Sequence, residues 1–345
     1  MRDKPNIPDE FLISGLRAEF GLQIVEVTFL PLGFGLTTAI YRAVADDGTH
    51  YFCKLRRGVF DVVSVELPKF LSDQGIAQII PPLTTKTGQL RAELGEFNLI
   101  VHPFVEGKDG YAVELTECQW VDFGAALKRI HTTALPPALT SNIPKENYSP
   151  EARERCKQFL ARIYVETFDD PVAAGLAALL RSKRDLVLEL IEGAERLAPL
   201  MAARDLEYVL CHSDLHPGNL FIDAHGPLFI VDWDWATLSP KERDLMHIGG
   251  GHVFLGHTAQ EVERLFYEGY GQSQIDPIAL AYYRLERNML AVELACELIL
   301  SSTQDSQTRA QSLEYLEYYF SPNGPIETAL KSAKMGQHDH LAVEV

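Results

Sequence analysis

Apolar residues follow two patterns along the chain: mostly strand-like runs between about residues 23 and 103, then helical spacing beyond about residue 107. Residues 9–20 read as a short amphipathic helix with Phe11, Leu12, Leu16 and Phe20 on one side. Strand runs follow at 23–30, 38–44 and 50–55, the last two separated by the turn Ala45-Asp46-Asp47-Gly48. Further strands are predicted at 79–83, 89–94 and 97–103, with Lys86-Thr87-Gly88 and Gly95-Glu96 as turns. A predominantly antiparallel sheet results. After His102-Pro103-Phe104-Val105-Glu106-Gly107 the pattern becomes helical, and Trp120, Phe123, Leu127, Ile130 and His131 mark a helix over 115–134. The Pro-, Ser- and Asn-rich stretch 135–150 reads as a connector or mobile loop. Helices are predicted at 150–164, 171–202, 240–250, 259–269, 277–300 and 307–320, and the tail 335–345 has little to pack and is expected to be loose. No internal repeat is visible. The expected fold class is α+β in two lobes: an N-terminal lobe over 1–102, a hinge at 103–107 and a helical lobe over 108–334.

Composition narrows the class. A chain of 345 residues is long enough for two lobes, each with its own core, and a hydrophobic content of 46% is that of an ordinary globular protein. The five cysteines (Cys53, Cys118, Cys156, Cys211, Cys296) are odd in number, far apart and without a CxxC pair, as reduced buried thiols are. The first ten residues carry charge and two prolines where a signal peptide needs an apolar core, and no run approaches a membrane span, so a cytoplasmic enzyme is expected. A net charge of −17 argues against nucleic acid, whose binders cluster Lys and Arg to displace counterions from phosphates. It permits a cationic small molecule.

The chemistry concentrates in Cys211-His212-Ser213-Asp214-Leu215-His216-Pro217-Gly218-Asn219 and Phe229-Ile230-Val231-Asp232-Trp233-Asp234. An apolar run, a tight polar turn and two further strand-like runs ending in a carboxylate place one acid and one amide near a second acid. Phosphoryl transfer requires such a set: a carboxylate to orient the attacking hydroxyl, oxygen ligands for magnesium, and positive charge on the phosphates. His212, Asp214 and His216 also alternate as ligands of a hydrolytic metal site would, although His225 and His247 add no recognisable ligand spacing. On the packing reading, His212 fixes the loop through its ring hydrogen bonds, with His216 similar.

The pattern H-x-D-x-x-x-x-N followed by a later Asp resembles the catalytic and metal-binding segments of the aminoglycoside phosphotransferase and choline kinase superfamily, relatives of protein kinases. The longer strings His212–Asn219, Val231-Asp232-Trp233-Asp234 and Ser239–Met246 look closest to its spectinomycin phosphotransferase branch. The resemblance implies a protein-kinase-like fold, ATP or GTP as phosphoryl donor, Mg2+, and a small hydroxylated acceptor. It makes Asp214 the catalytic base and Asn219 and Asp232 the metal ligands. Asp244 would tie the catalytic loop to the helix after it.

For the nucleotide, Gly33 and Gly35 lie in a turn between two strands, where backbone N–H groups can cover phosphates. Lys54 is a lone cation in an apolar strand and, by resemblance, pairs with the α- and β-phosphates; Arg56 and Arg57 beyond it read as surface residues. Glu66, or Asp61 as second choice, is the candidate to hold Lys54, and Pro68 puts Glu66 at the start of its helix. By resemblance the joint at Pro103 reads adenine through backbone groups: Pro103 offers a carbonyl only, so Val105 is the natural N–H donor. The resemblance places the acceptor among the C-terminal helices. Glu286, Glu293 and Glu297 share a helical face there, with Arg287 near enough to pair with one of them, and Asp234 follows the metal ligand by two residues. An aminocyclitol or aminoglycoside antibiotic such as spectinomycin is the favoured acceptor. Choline, homoserine and sugar-type metabolites stay open, as do a non-catalytic nucleotide-binding protein and a metal-dependent hydrolase. No role follows from the sequence for His247 or Gly249-Gly250-Gly251.

Overall fold

Alternation along three strands explains how the N-terminal part buries one face and keeps a cationic one. In a computed structural model of the chain, residues 4–32, 37–250, 255–301 and 305–343 are described, with side chains through 334. Helix α1 (Asp9–Gly15) runs into a single π turn, Leu16–Phe20, and precedes β1 (Ile24–Leu30), β2 (Thr38–Ala45), β3 (His50–Arg57), α2 (Val63–Asp73), β4 (Ala92–Leu94) and β5 (Phe97–Pro103). The strands form one antiparallel sheet in the order β1-β2-β3-β5-β4. Tyr41, Ala43, Cys53, Leu55, Leu99 and Val101 point to one face and pack on Leu12 and Leu16. Strand geometry therefore sends Lys54 and Arg56 to the other face.

The chain continues through β6 (Gly107–Asp109), α3 (Glu117–Thr132), α4 (Pro137–Thr140), α5 (Glu151–Val165), α6 (Pro171–Ser182) and α7 (Arg184–Ala202). Then come β7 (Val209–Cys211), β8 (Leu220–Asp223), β9 (Leu228–Ile230), β10 (Thr237–Ser239), α8 (Glu242–Leu245), α9 (Ala259–Tyr270), α10 (Pro277–Leu300), α11 (Ser306–Tyr319) and α12 (Pro325–Val343). Two compact units emerge: Met1–Pro144 with Pro217–Ala236, and Lys145–His216 with Thr237–Val345. In the first, β8 and β9 form a hairpin joined by β6. In the second, α10 is buried along most of its length against α5, α7, α11 and α12, and β7 pairs with β10. Among the described residues no helix is long and apolar enough to cross a membrane.

Several predicted elements change. The run 79–83 is extended but not a strand, although the Leu83 N–H donates to the Val101 carbonyl at 2.7 Å. The strand expected at 89–94 shrinks to β4 because Thr85 and Gln89 close a turn before it. The helix expected at 171–202 breaks at Lys183, and the apolar spacing Leu176, Leu180, Val187, Leu190 continues across the break, so periodicity alone does not register it. The helix expected at 240–250 stops at Leu245, since Gly249 and Gly250 adopt positive φ and Arg284 takes the Met246 and Ile248 carbonyls. Pro325 opens α12 as a first-turn proline, and the helical backbone runs to Val343.

Candidate functional site

In the first unit the β8–β9 hairpin sets the spacing of two candidate metal ligands. Leu220 pairs with Ile230, and one step further the Val231 N–H donates to the Asn219 carbonyl at 3.0 Å. Asn219 and Asp232 thus leave the same end of the hairpin. Asp232 has φ of 67°, an uncommon conformation for a non-glycine residue, and opens a single helical turn, Trp233–Trp235. The Trp233 indole anchors that turn by donating to the Ile230 carbonyl at 3.2 Å.

The cationic face of β3 meets this turn. Lys54 Nζ lies 3.4 Å from Asp232 Oδ1, and Arg56 Nη1 donates to Asp234 Oδ1 at 3.0 Å. Burial alone would lower the Lys54 pKa, but the Asp232 and Asp234 carboxylates outweigh it and keep the ammonium charged. Arg56 also reaches Ser64 Oγ at 3.3 Å, linking α2 to the turn. It is a half-buried bridging residue, not the surface residue expected. Arg57, beside Glu96 and over the Phe97 ring, is half exposed as anticipated.

Glu66 occupies the first turn of α2, as expected, but Pro68 lies inside the helix and not in its first turn. Its missing N–H leaves the Ser64 carbonyl without a helical bond, which the short helix tolerates. Among the described contacts, the carboxylate paired with Lys54 is Asp232, not Glu66. Asp61 instead accepts the Val63 N–H at 3.0 Å. Gly33 and Gly35 lie outside the described residues. At the joint, Pro103 pairs with Tyr51 and the Phe104 N–H is taken by the His50 carbonyl at 3.1 Å, which leaves Val105 as the next donor in the chain. Burial, then the Lys54 charge, lowers the His102 pKa to about 4, so this ring beside Lys54 is neutral at pH 7.

The second unit holds Asp214, the candidate base. Asp244 accepts the N–H of His212 at 2.9 Å and that of Ser213 at 2.6 Å, and Ser213 has φ of 74°. The fully buried His212 accepts the Asp214 N–H on its ring Nδ1 at 3.3 Å. His212 is the loop-fixing residue and Asp244 the tether that the sequence indicated. Asp214 Oδ1 accepts from Arg287 Nη2 at 3.0 Å, and its Oδ2 lies 3.5 Å from His216 Nε2. Burial would raise the Asp214 pKa, but Arg287, His216 and His247 more than offset it and hold the carboxyl well below the usual carboxylate range. The carboxylate is therefore ionised at neutral pH.

The glutamates of α10 do not form one stripe. Glu286 pairs with the buried Arg153, and Glu293, itself buried, accepts from Arg155 Nε at 2.8 Å. Glu293 Oε2 is buried without a hydrogen-bond partner, while Glu297 is exposed. Arg287, near enough in sequence to pair with one of these glutamates, donates instead to Asp214. Its role was hidden from sequence reading because the two residues are 73 positions apart.

The family model for the phosphotransferase enzyme family (APH) matches residues 30–283. The chain belongs to that family and is a phosphotransferase that uses an alcohol group as acceptor. The structure of spectinomycin phosphotransferase APH(9)-Ia in complex with ADP and spectinomycin is 34% identical, with a TM-score of 0.88 over 95% of this chain and 99% of that one. The AMP-bound complex of spectinomycin phosphotransferase APH(9)-Ia gives 33% identity and 0.84 over 94% and 98%. Protein StrN of Streptomyces griseus is 27% identical over 187 residues, 52% of this chain, and the match spans only 57% of that protein. The choline kinase LicA of Streptococcus pneumoniae, at 16% identity and a TM-score of 0.58 over 94% and 99%, shares the fold alone. The fold is the protein-kinase-like one, with an antiparallel sheet followed by a mainly helical part.

Proposed function

We propose that this protein is a magnesium-dependent O-phosphotransferase that moves the γ-phosphoryl group of ATP or GTP to a hydroxyl of an aminocyclitol, spectinomycin being the favoured acceptor. The observation that carries the reading is the Asp214 carboxylate, fixed by Arg287 on a loop that Asp244 tethers. The likeness to a spectinomycin phosphotransferase over nearly the whole of both chains supports the acceptor class.

In this reading residues 1–102 bind nucleotide, 103–107 form the hinge, and 108–334 carry catalysis and the acceptor. Gly33 and Gly35 cover the phosphates, Lys54 holds them, and the Pro103 carbonyl and Val105 N–H read the base. Asn219 and Asp232 suit magnesium: they offer the hard amide and carboxylate oxygens it prefers, and Asp232 is half exposed. The bound ion would neutralise phosphate charge. Lys54 moves from Asp232 towards the phosphates when nucleotide arrives. Asp214 orients the acceptor hydroxyl and takes its proton late in transfer. Asp234, Glu293 and Glu297 attract the acceptor's amines. The acidic balance of the chain suits a cationic small-molecule acceptor.

The test is nucleotide consumption with Mg2+ against spectinomycin, aminoglycosides, choline, homoserine and sugars, run with ATP and with GTP. Turnover confined to an aminocyclitol is the expected result. Turnover of choline or a sugar alone would move the protein to the metabolite kinases, and zinc-dependent hydrolysis without phosphoryl transfer would overturn the reading. Lys54→Met should raise the nucleotide KM or depress kcat and leave the acceptor KM nearly unchanged, as befits a point charge on the phosphates. A defect on the acceptor side alone would misplace Lys54.

A further inference from the structure

One face of α10 grips the loop that carries Asp214 and the segments around it. Tyr283 OH and Ser239 Oγ are hydrogen-bonded at 2.8 Å, and Ser239 ends the strand that pairs with β7, the strand leading into the loop. One residue on, Arg284 is buried and donates from Nε to the Met246 carbonyl at 3.0 Å and from Nη2 to the Ile248 carbonyl at 2.7 Å. These carbonyls follow α8, which carries Asp244. A turn further, Arg287 Nη2 meets Asp214 Oδ1 at 3.0 Å. Residues 283, 284 and 287 stand at three- and four-residue separations, so they project from one side of the helix.

The position of Arg287 is constrained from both ends. Its side chain and that of Asp214 are only 14% and 22% exposed, so the pair is largely removed from water. The helix that carries it is capped by Asp276, which accepts the Ile278 and Ala279 N–H groups at 2.9 and 3.0 Å. With Oδ1 on the Arg287 guanidinium and Oδ2 3.5 Å from His216 Nε2, the carboxylate is restrained at both oxygens, and Arg287 makes the shorter contact. An orienting base needs that property.

We infer that Arg287 is the positioning residue of the catalytic carboxylate, an arginine delivered from the acceptor-side helix that aims Asp214 Oδ2 without itself touching nucleotide. The inference rests on the assignment of Asp214 as base. It makes α10 a support for catalysis as well as a bearer of acceptor-side acids.

Two measurements on the full chain test it, one of which needs no acceptor. With 13Cγ-labelled aspartate, the Asp214 signal is identified by its loss in Asp214→Asn and followed through acid. Charged and titratable groups facing Asp214 are Arg287 of α10, His216 of its own loop, His247 after α8 and Tyr319 of α11. The probe reads Asp214 directly, so their titrations are not mistaken for its own. In the wild type the signal should stay flat as pH falls through about 4, the ordinary aspartate value. Arg287→Gln should restore a step near that pH, and Arg287→Lys, which keeps the charge, should stay near the wild type. A flat signal in folded Arg287→Gln would show that Arg287 does not hold the carboxylate.

The second measurement is a double-mutant cycle on kcat with MgATP and spectinomycin. Arg287→Gln should lose roughly ten- to a hundredfold in kcat with nucleotide KM unchanged, as a misaimed group does. In the Asp214→Asn background the same change should cost little, because the group it aims has gone. An equal loss in both backgrounds would overturn the inference. If the wild type fails to turn over spectinomycin, the proposed acceptor is wrong, while the carboxylate titration still decides the role of Arg287.

Discussion

At the scale of single residues, the electrostatics of Asp214 decide what it can do as the proposed base. Its carboxyl is held below the ordinary range by Arg287 and His216 in spite of burial. The sign follows: with a depressed native pKa, the stabilisation is complete above the unfolded value of about 4 and is lost as pH falls through the lower native value. Ionisation of Asp214 therefore leaves no acidic limb in the neutral pH–rate profile. Asp214→Asn should lower kcat at least about a hundredfold, the low end of general-base effects, with nucleotide affinity similar to wild type. Steady-state rates between pH 5 and 9 check both statements, a range that begins about one unit above the ordinary aspartate value. An acidic limb that vanishes in Asp214→Asn would contradict the depressed ionisation. Asp214, Asn219 and Asp232 could be picked out as candidates in the sequence because phosphoryl transfer requires those side chains at short spacing on contiguous segments. The Arg287–Asp214 and Arg56–Asp234 pairs could not, since periodicity assigns a residue to a face but cannot name a partner contributed by a remote element.

At the scale of elements, the loop that carries Asp214 is held by a backbone arrangement that local sequence only partly encodes. Ser213 stands at positive φ, a conformation that costs about 1–3 kcal/mol for a non-glycine residue and persists where surroundings over-determine it. Asp244 is that surrounding, with both carboxylate oxygens on adjacent N–H groups. Asp244→Ala removes the acceptor of two buried N–H groups and should destabilise the fold by roughly 2–6 kcal/mol, from about 1–3 per unsatisfied group. Asp244→Asn keeps one acceptor oxygen and should fall between the alanine variant and wild type. Urea unfolding followed alongside kcat checks the order, and an alanine variant as stable as wild type would mean the loop is held by other contacts. The same mixture of local and remote causes governs which elements could be predicted. Helix α10 was readable end to end from its proline start and apolar spacing, whereas the stop at Leu245 depends on Arg284 taking carbonyls 36 and 38 positions away in the chain. Strand β5 was equally readable, but 79–83 carries strand-like residues without forming a strand, and the Leu83 N–H donates to the Val101 carbonyl of β5.

At the scale of the whole molecule, a net charge of −17 surrounds whatever acceptor binds, and composition cannot say which acids matter. The structure separates two of the candidates by their environments. Glu297 is exposed, so its pull on a cation is screened within a Debye length of about 8 Å at physiological salt. Glu293 is buried, with one oxygen on Arg155 and the other without a hydrogen-bond partner. A buried acceptor oxygen in that condition gains most from a new donor, and an amine of the acceptor is such a donor. Glu293→Gln should therefore raise the KM of a cationic acceptor and flatten its dependence on ionic strength, with the nucleotide KM unchanged. Glu297→Gln should shift the acceptor KM slightly at low salt and not at high salt. Acceptor KM measured across a salt series for both variants and their combination decides between them. If neither substitution alters KM or its salt response, Glu293 is a structural partner of Arg155 and Glu297 a solvated charge. Recognition of the acceptor would then rest on Asp234 or on uncharged groups, and a polycationic antibiotic would lose its electrostatic support relative to a neutral polyol.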